Sequence, residues 1–226
     1  SAPNRGLEQL LDAWPTIRKA IPDATLRVYY SWKLTEEQME KRPELKAELG
    51  PLLTKLRKRF EELKDSGVTY LGGVDHKTLN EAYRTTSLWT YPPVSFEEIS
   101  CISALRAMAS GCFPVVIPTG ALNETCPFGA KAKDVDEFVN LVIQFMQNPP
   151  TNKERARMHD YARKKSWDHA APAFVKHLTD RNERITIYAG RFARPFDGGG
   201  SGDGKPLGGS EEAVIALAHG LSRAGK

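Results

Sequence analysis

The chain has 226 residues, 40% of them hydrophobic and 27% charged, with a formal net charge of +4, which suits one sizeable core or one core with an appended element. No apolar run approaches the about 18 residues of a membrane span and no signal-like stretch stands at the start, so the chain reads as soluble and cytoplasmic. Most Lys and Arg residues alternate with Glu, which argues against a dedicated nucleic-acid surface and leaves anionic small molecules open.

Ser1 to Gly6 reads as loop, and Leu7 opens a helix, because Leu7, Leu10, Leu11, Trp14, Ile17 and Ile21 recur at three- and four-residue spacing. Pro22 and Asp23 turn the chain into a first strand over Thr25 to Ser31. From about Thr35 to Lys64 the sequence is dense in Glu, Lys and Arg with rows of Leu; alternating charge predicts a solvated amphipathic helix, or a pair broken near Gly50-Pro51, rather than a basic binding helix. A strand at Val68 to Gly72 and a short helix over His76 to Arg84 follow.

The central unit is Leu88 to Ile117, which reads as strand, loop, helix and strand, with Gly111 as the left-handed cap. Such a unit belongs to a parallel sheet, and its loop, carrying Ser95, Glu97, Glu98, Ser100 and Ser103, stands where open α/β folds bind ligands. Beyond Ile117 come a Gly-containing loop, a helix over Asp134 to Met146, and two polar-faced helices over about Thr151 to Lys165 and Trp167 to Thr179. Asp180 to Arg184 is a polar linker, Ile185 to Ala189 a new strand, and Gly208-Gly209-Ser210 leads into a helix. Helix N-termini favour anions, yet Ser210 serves equally as a simple N-cap. The three cysteines, Cys101, Cys112 and Cys126, lack metal-ligand spacing and read as reduced thiols, and none of the five histidines is assigned a catalytic role.

In this order the elements resemble glycosyltransferases of the GT-B fold, in particular the large retaining, family 4-like set (glycosyl transferases group 1) that uses nucleotide-diphosphate sugars. Asn4-Arg5-Gly6-Leu7 looks like the start of that fold's C-terminal domain, Leu71-Gly-Gly73-Val74 like the lead into its donor site, and Phe96 to Gly111 like its donor signature; Trp167 fits its last crossing helix. The resemblance implies an α/β fold with a Rossmann-like parallel sheet between helices over residues 1–180, the C-terminal half of a GT-B fold. Residues 181–226 resemble the first strand, glycine loop and helix of an N-terminal domain, appended out of order.

By the same resemblance Glu98 accepts hydrogen bonds from the donor sugar and is the catalytic candidate. Arg5 and Gly6 meet the diphosphate, and Gly73, the backbone of Ile99, Ser100, Cys101 and Ile102, Arg106, and Gly208, Gly209 and Ser210 complete the donor-binding set. Arg106 stands where the family has a second Glu that grips the ribose diol; a guanidinium has no acceptor and cannot make that contact. The reading is the donor-binding part of a hexosyltransferase with an unknown acceptor, inactive alone, or else a degenerate nucleotide-binding or scaffold module. No cofactor beyond the nucleotide-sugar donor and no metal is implied, because no Asp-x-Asp or His cluster stands at the phosphates.

Within that fold a strand precedes the Arg-Gly loop, and this sequence opens after its position. A tandem protein, a natural permutation and an engineered fusion all fit the order. A sheet lacking its central strand leaves two rows of backbone groups without partners, and Ile185 to Ala189 is the expected filler, within the chain or by exchange in a homodimer.

Overall fold

The computed structural model describes residues 3–179 and His219. In chain order it forms α1 (Leu7–Ala20), β1 (Leu26–Tyr29), α2 (Lys33–Lys41), α3 (Pro43–Leu63), β2 (Val68–Gly72), α4 (His76–Arg84), β3 (Leu88–Tyr91), α5 (Ile102–Ala109), β4 (Phe113–Val116), α6 (Leu122–Thr125), β5 (Ala130–Lys131), α7 (Val135–Gln147), α8 (Asn152–Lys164) and α9 (Trp167–Thr179). Residues 1–159 make one compact unit and residues 160–226 another. The sheets and the candidate site belong to the first. The predicted strand at 185–189 and glycine loop at 208–210 lie outside the described residues.

Helix ends follow local chemistry. The Asp75 carboxylate accepts from the amide of Thr78 at 2.8 Å to start α4, and the Asp134 carboxylate does the same for Glu137 at 2.8 Å to start α7. Thr151 and Glu154 form a reciprocal capping box at α8, amide to carboxylate at 2.8 Å and amide to hydroxyl at 3.3 Å. Gly111 closes α5 with φ 75°, the left-handed conformation anticipated for it.

The charged stretch departs from expectation. Its break falls at Arg42-Pro43, not at Gly50-Pro51. Arg42 is extended, as a residue before proline prefers, and Pro43 occupies the first turn of α3, where an amide hydrogen would have no partner. Pro51 lies inside α3, and nearby the Thr54 hydroxyl donates to the Gly50 carbonyl at 3.0 Å. Cations of α3 turn to acids of α1 and α2: Lys55 pairs with Glu8 and with Asp12 at 3.7 Å, Arg59 with Asp12 at 2.9 Å, and Arg57 with Glu36.

Every strand pair is parallel, β1 with β2, β3 with β4 and β4 with β5, as the repeated strand-helix order dictates. β4 is buried along its whole length, between β3 and β5. Yet the described strands form two sheets, β1-β2 and β3-β4-β5. They part where the resemblance places its missing strand, and a cavity of about 770 Å³ lies there, lined by all of residues 23–30 and 85–91.

Helices hold the two sheets in one layer. α1 packs beside α3 and α7, and α4 beside α5; right-handed crossovers put these groups on opposite faces. The α1 stripe of Leu7, Leu10, Leu11, Trp14 and Ile17 is buried, as its spacing predicts, and the Trp14 indole donates to the Ser66 carbonyl at 2.8 Å. Arg27 of β1 reaches the stretch before β3, donating to the Thr85 carbonyl at 3.3 Å and to the Thr86 hydroxyl.

Gly6 explains how α1 is seated. Its φ is 80°, and a β-carbon there would lie 2.0 Å from the Pro92 carbonyl oxygen, so the loop before α1 rests on the end of β3. Gly6→Ala is expected to lower unfolding free energy by about 2 kcal/mol or more, combining left-handed strain with overpacking; urea titration followed by far-UV circular dichroism measures it.

Candidate functional site

The C-terminal end of β3 gathers the predicted site. β3 ends at Tyr91, Pro92 and Pro93 close the strand, and the loop to α5 carries Phe96 and Glu98. Glu98 is the one charged residue among the buried side chains described, at 5% exposure. Its Oε2 accepts from the Tyr91 hydroxyl at 2.8 Å and from Arg5 Nη1 at 3.4 Å. Arg5 comes from the loop before α1, and its guanidinium lies over the Phe96 ring, 4.2 Å from the centroid. Its side chain keeps 38% exposure.

The Glu98 loop is moored to the turn after β4. The Ala121 amide donates to the Glu98 carbonyl at 2.7 Å, and the Thr119 hydroxyl donates to the Phe96 carbonyl at 2.8 Å. Gly120, with φ 49°, passes so close that a β-carbon would stand 2.4 Å from the Glu98 oxygen. A carboxylate with fixed backbone thus sits beside a guanidinium whose outer side is open, an arrangement suited to a ligand with hydroxyls next to an anionic group.

The structure brings together Arg5, Gly6 and Glu98. Ile99 and Ser100 follow Glu98 on an exposed loop, Ile99 at 86%, while Cys101 is buried and exposed Ile102 opens α5. Gly73 stands just beyond β2, where a β-carbon would meet the Ser31 side chain at 2.7 Å. Arg106, on α5, places Nη1 2.7 Å from His76 Nδ1, a contact the sequence reading did not anticipate. Gly208, Gly209 and Ser210 lie outside the described residues.

Two contributors were not anticipated from sequence. Tyr91 counted only as a strand residue, yet its hydroxyl fixes Glu98, and Phe96 supplies the ring beneath Arg5. The available signal was an aromatic residue with a polar tip at the end of a parallel strand, facing the ligand-binding loop. Among the described residues no group of three His, Cys, Asp or Glu is arranged to hold a metal ion, and no helix is long and apolar enough to cross a membrane.

Burial sets the ionisation of the neutral groups near the site. It pushes Cys101 and Cys112 up to about 12 and Cys126 to about 11, and Tyr83 to about 12. The Tyr91 phenol is raised too, by burial first and then by its bond to Glu98. All three thiols are free and buried.

The family model described as glycosyl transferases group 1 matches residues 2–165. Among solved structures, one titled "Crystal structure of GtfA/B complex" superposes with a TM-score of 0.58 at 15% identity, covering 81% of this chain and 35% of that one. The pneumococcal O-GlcNAc transferase GtfA in complex with UDP and GlcNAc superposes with a TM-score of 0.54 at 12% identity, covering 81% and 34%. At those identities the likeness is one of fold, and the chain spans about a third of the length of both. A search of curated proteins found no match.

Two outcomes follow from the buried groups. The unfolded chain ionises its thiols near pH 8.5, whereas the folded chain keeps them protonated to about 11 or 12. Their contribution to stability is therefore complete below about pH 8.5 and is lost as pH rises through the folded values. Urea midpoints should fall between about pH 8 and pH 11, less steeply in a Cys101→Ala, Cys112→Ala, Cys126→Ala variant. Separately, Tyr91→Phe removes one donor from buried Glu98 and should cost about 1–3 kcal/mol in the same titration at about pH 7.

Proposed function

Since the chain belongs to the glycosyl transferases group 1 family, we propose that residues 1–180 bind a nucleotide-diphosphate sugar and form the donor half of a retaining hexosyltransferase. One observation carries this reading: Arg5 and Glu98, from loops far apart in sequence, meet at the C-terminal end of β3. That edge of a parallel α/β sheet is where ligands bind. Arg5 opposes the charge that develops on the nucleoside diphosphate as the anomeric carbon to oxygen bond breaks, and the open side of its fork faces the ligand. Glu98, held by Tyr91, accepts from the hexose hydroxyls and fixes the sugar for attack by the acceptor.

UDP is the first nucleotide to try, because a solved structure sharing the fold is titled as a complex with UDP. The chain covers only 35% and 34% of its structural neighbours, and on this reading residues 1–226 alone should show little turnover. The buried, unpaired thiols suit a reducing, cytoplasmic setting.

Arg106 favours a second reading, a degenerate module that holds a nucleotide or a partner without transfer. Its guanidinium, bonded to His76, takes the place of the ribose-binding carboxylate. Calorimetric titration with UDP, GDP and ADP, free and sugar-linked, separates the two. Under the first reading one nucleotide binds with micromolar affinity, and Arg5→Ala or Glu98→Gln weakens it by about 10-fold or more. Arg106→Glu should tighten it; weaker binding would show that the α5 alignment is wrong. No binding of any nucleotide supports the partner-holding form of the second reading.

A further inference from the structure

We propose that Arg106 and His76 form a phosphate-binding pair, and that the nucleotide taken by this protein carries a monoester phosphate on its ribose. The inference rests on the nucleotide-sugar reading above and names the class of nucleotide within it. Arg106 and Ser103 stand three residues apart on α5 and share a face, as His76 and Tyr83 do on α4, seven residues apart. The two helices pack together. Between them Arg106 Nη1 meets His76 Nδ1 at 2.7 Å, and Ser103 is hydrogen-bonded to Tyr83, whose phenol also feels the charge of Arg106.

The chemistry of the pair is one-sided. A guanidinium only donates, so Nδ1 is the acceptor and the imidazole hydrogen stands on Nε2. Both residues are half-buried, which keeps part of each within reach of solvent and strengthens the pull of the cation on an anion. The pair thus presents N–H groups and positive charge but no oxygen acceptor. Ribose hydroxyls held by a carboxylate donate to it; hydroxyls that face Arg106 and His76 find no such acceptor. A phosphate ester on the ribose supplies the oxygens and the negative charge that match a guanidinium. Dinucleotide-binding folds make the same exchange, an acid for the ribose hydroxyl and an arginine for the 2′-phosphate.

The position suits a ribose. His76 opens α4 shortly beyond the C-terminal end of β2, and α5 opens beyond Glu98, at the corresponding end of β3. Both partners therefore come from helices that start at the ligand-binding edge of parallel strands. In a sugar nucleotide the ribose follows the diphosphate. With the sugar at Glu98 and the diphosphate at Arg5, the polar side chains of the adjoining helix α5 are Ser103 in its first turn and Arg106 in its second.

Calorimetric titration of the intact chain tests the inference, with UDP, GDP and ADP, each plain, with a 2′-phosphate and with a 3′-phosphate. For the base that binds, a ribose phosphate should tighten affinity about tenfold or more, and the two arms show which hydroxyl carries it. Arg106→Gln keeps a donor for His76 but removes the charge, and should abolish the gain. Arg106→Glu should reverse it, so that the plain nucleotide binds the tighter of the two. Should either variant fail to fold, the comparison on the unaltered chain still decides. A pair that only ties α4 to α5 predicts the same affinity with and without the phosphate. That result, or a gain that survives Arg106→Gln, overturns this inference and leaves the nucleotide-sugar reading in place, whereas failure of every nucleotide to bind overturns both.

Discussion

A strand inside a buried parallel sheet needs hydrogen-bond partners on both sides, and β1 and β3 each have one strand neighbour among the described residues. An unmet buried peptide group costs about 1–3 kcal/mol, so two facing edges are expensive unless filled. What keeps them in one layer is helix cover: α1 reaches from α3 to α7 across the divide, and Arg27 reaches across one end. The cavity between them reaches the candidate site, since Arg5 and Glu98 line it together with β1 and β3.

The candidate site depends on the same layer. Glu98 follows β3 and Arg5 precedes α1, so they meet only because the Gly6 backbone rests on Pro92. Tyr91 beneath and the Thr119 to Ala121 turn beside complete the support of the carboxylate. Every one of these contacts comes from the end of an element rather than its middle, which is how a parallel α/β layer positions a site on rigid scaffolding.

Much of this was legible in the chain. The α1 stripe, the limits of α4 and β3, and the left-handed role of Gly111 come directly from spacing and turn chemistry. The parting of β1 from β3 was expected from the resemblance to the GT-B fold and not from spacing or turn chemistry. Other features hid for identifiable reasons. β5, two residues long, is too short to show a period of two, and α6, a single turn, too short to show a helical one. Proline stands at both 43 and 51, and only tertiary context decides which one a helix absorbs. The Tyr91 hydroxyl and the Phe96 ring act through space, onto Glu98 seven residues on and onto Arg5 of another loop, and only the place of Tyr91 at a strand end hints at either.

The packing of α1 also bears on synthesis. Its buried face meets α3, made soon after it, and α7, made much later, so a ribosome exposes half of that apolar stripe until the second neighbour emerges. Ion pairs from Glu8 and Asp12 to α3 give the young helix a provisional mate. The first half of the unit is thus able to gather early, with completion deferred to the arrival of α7.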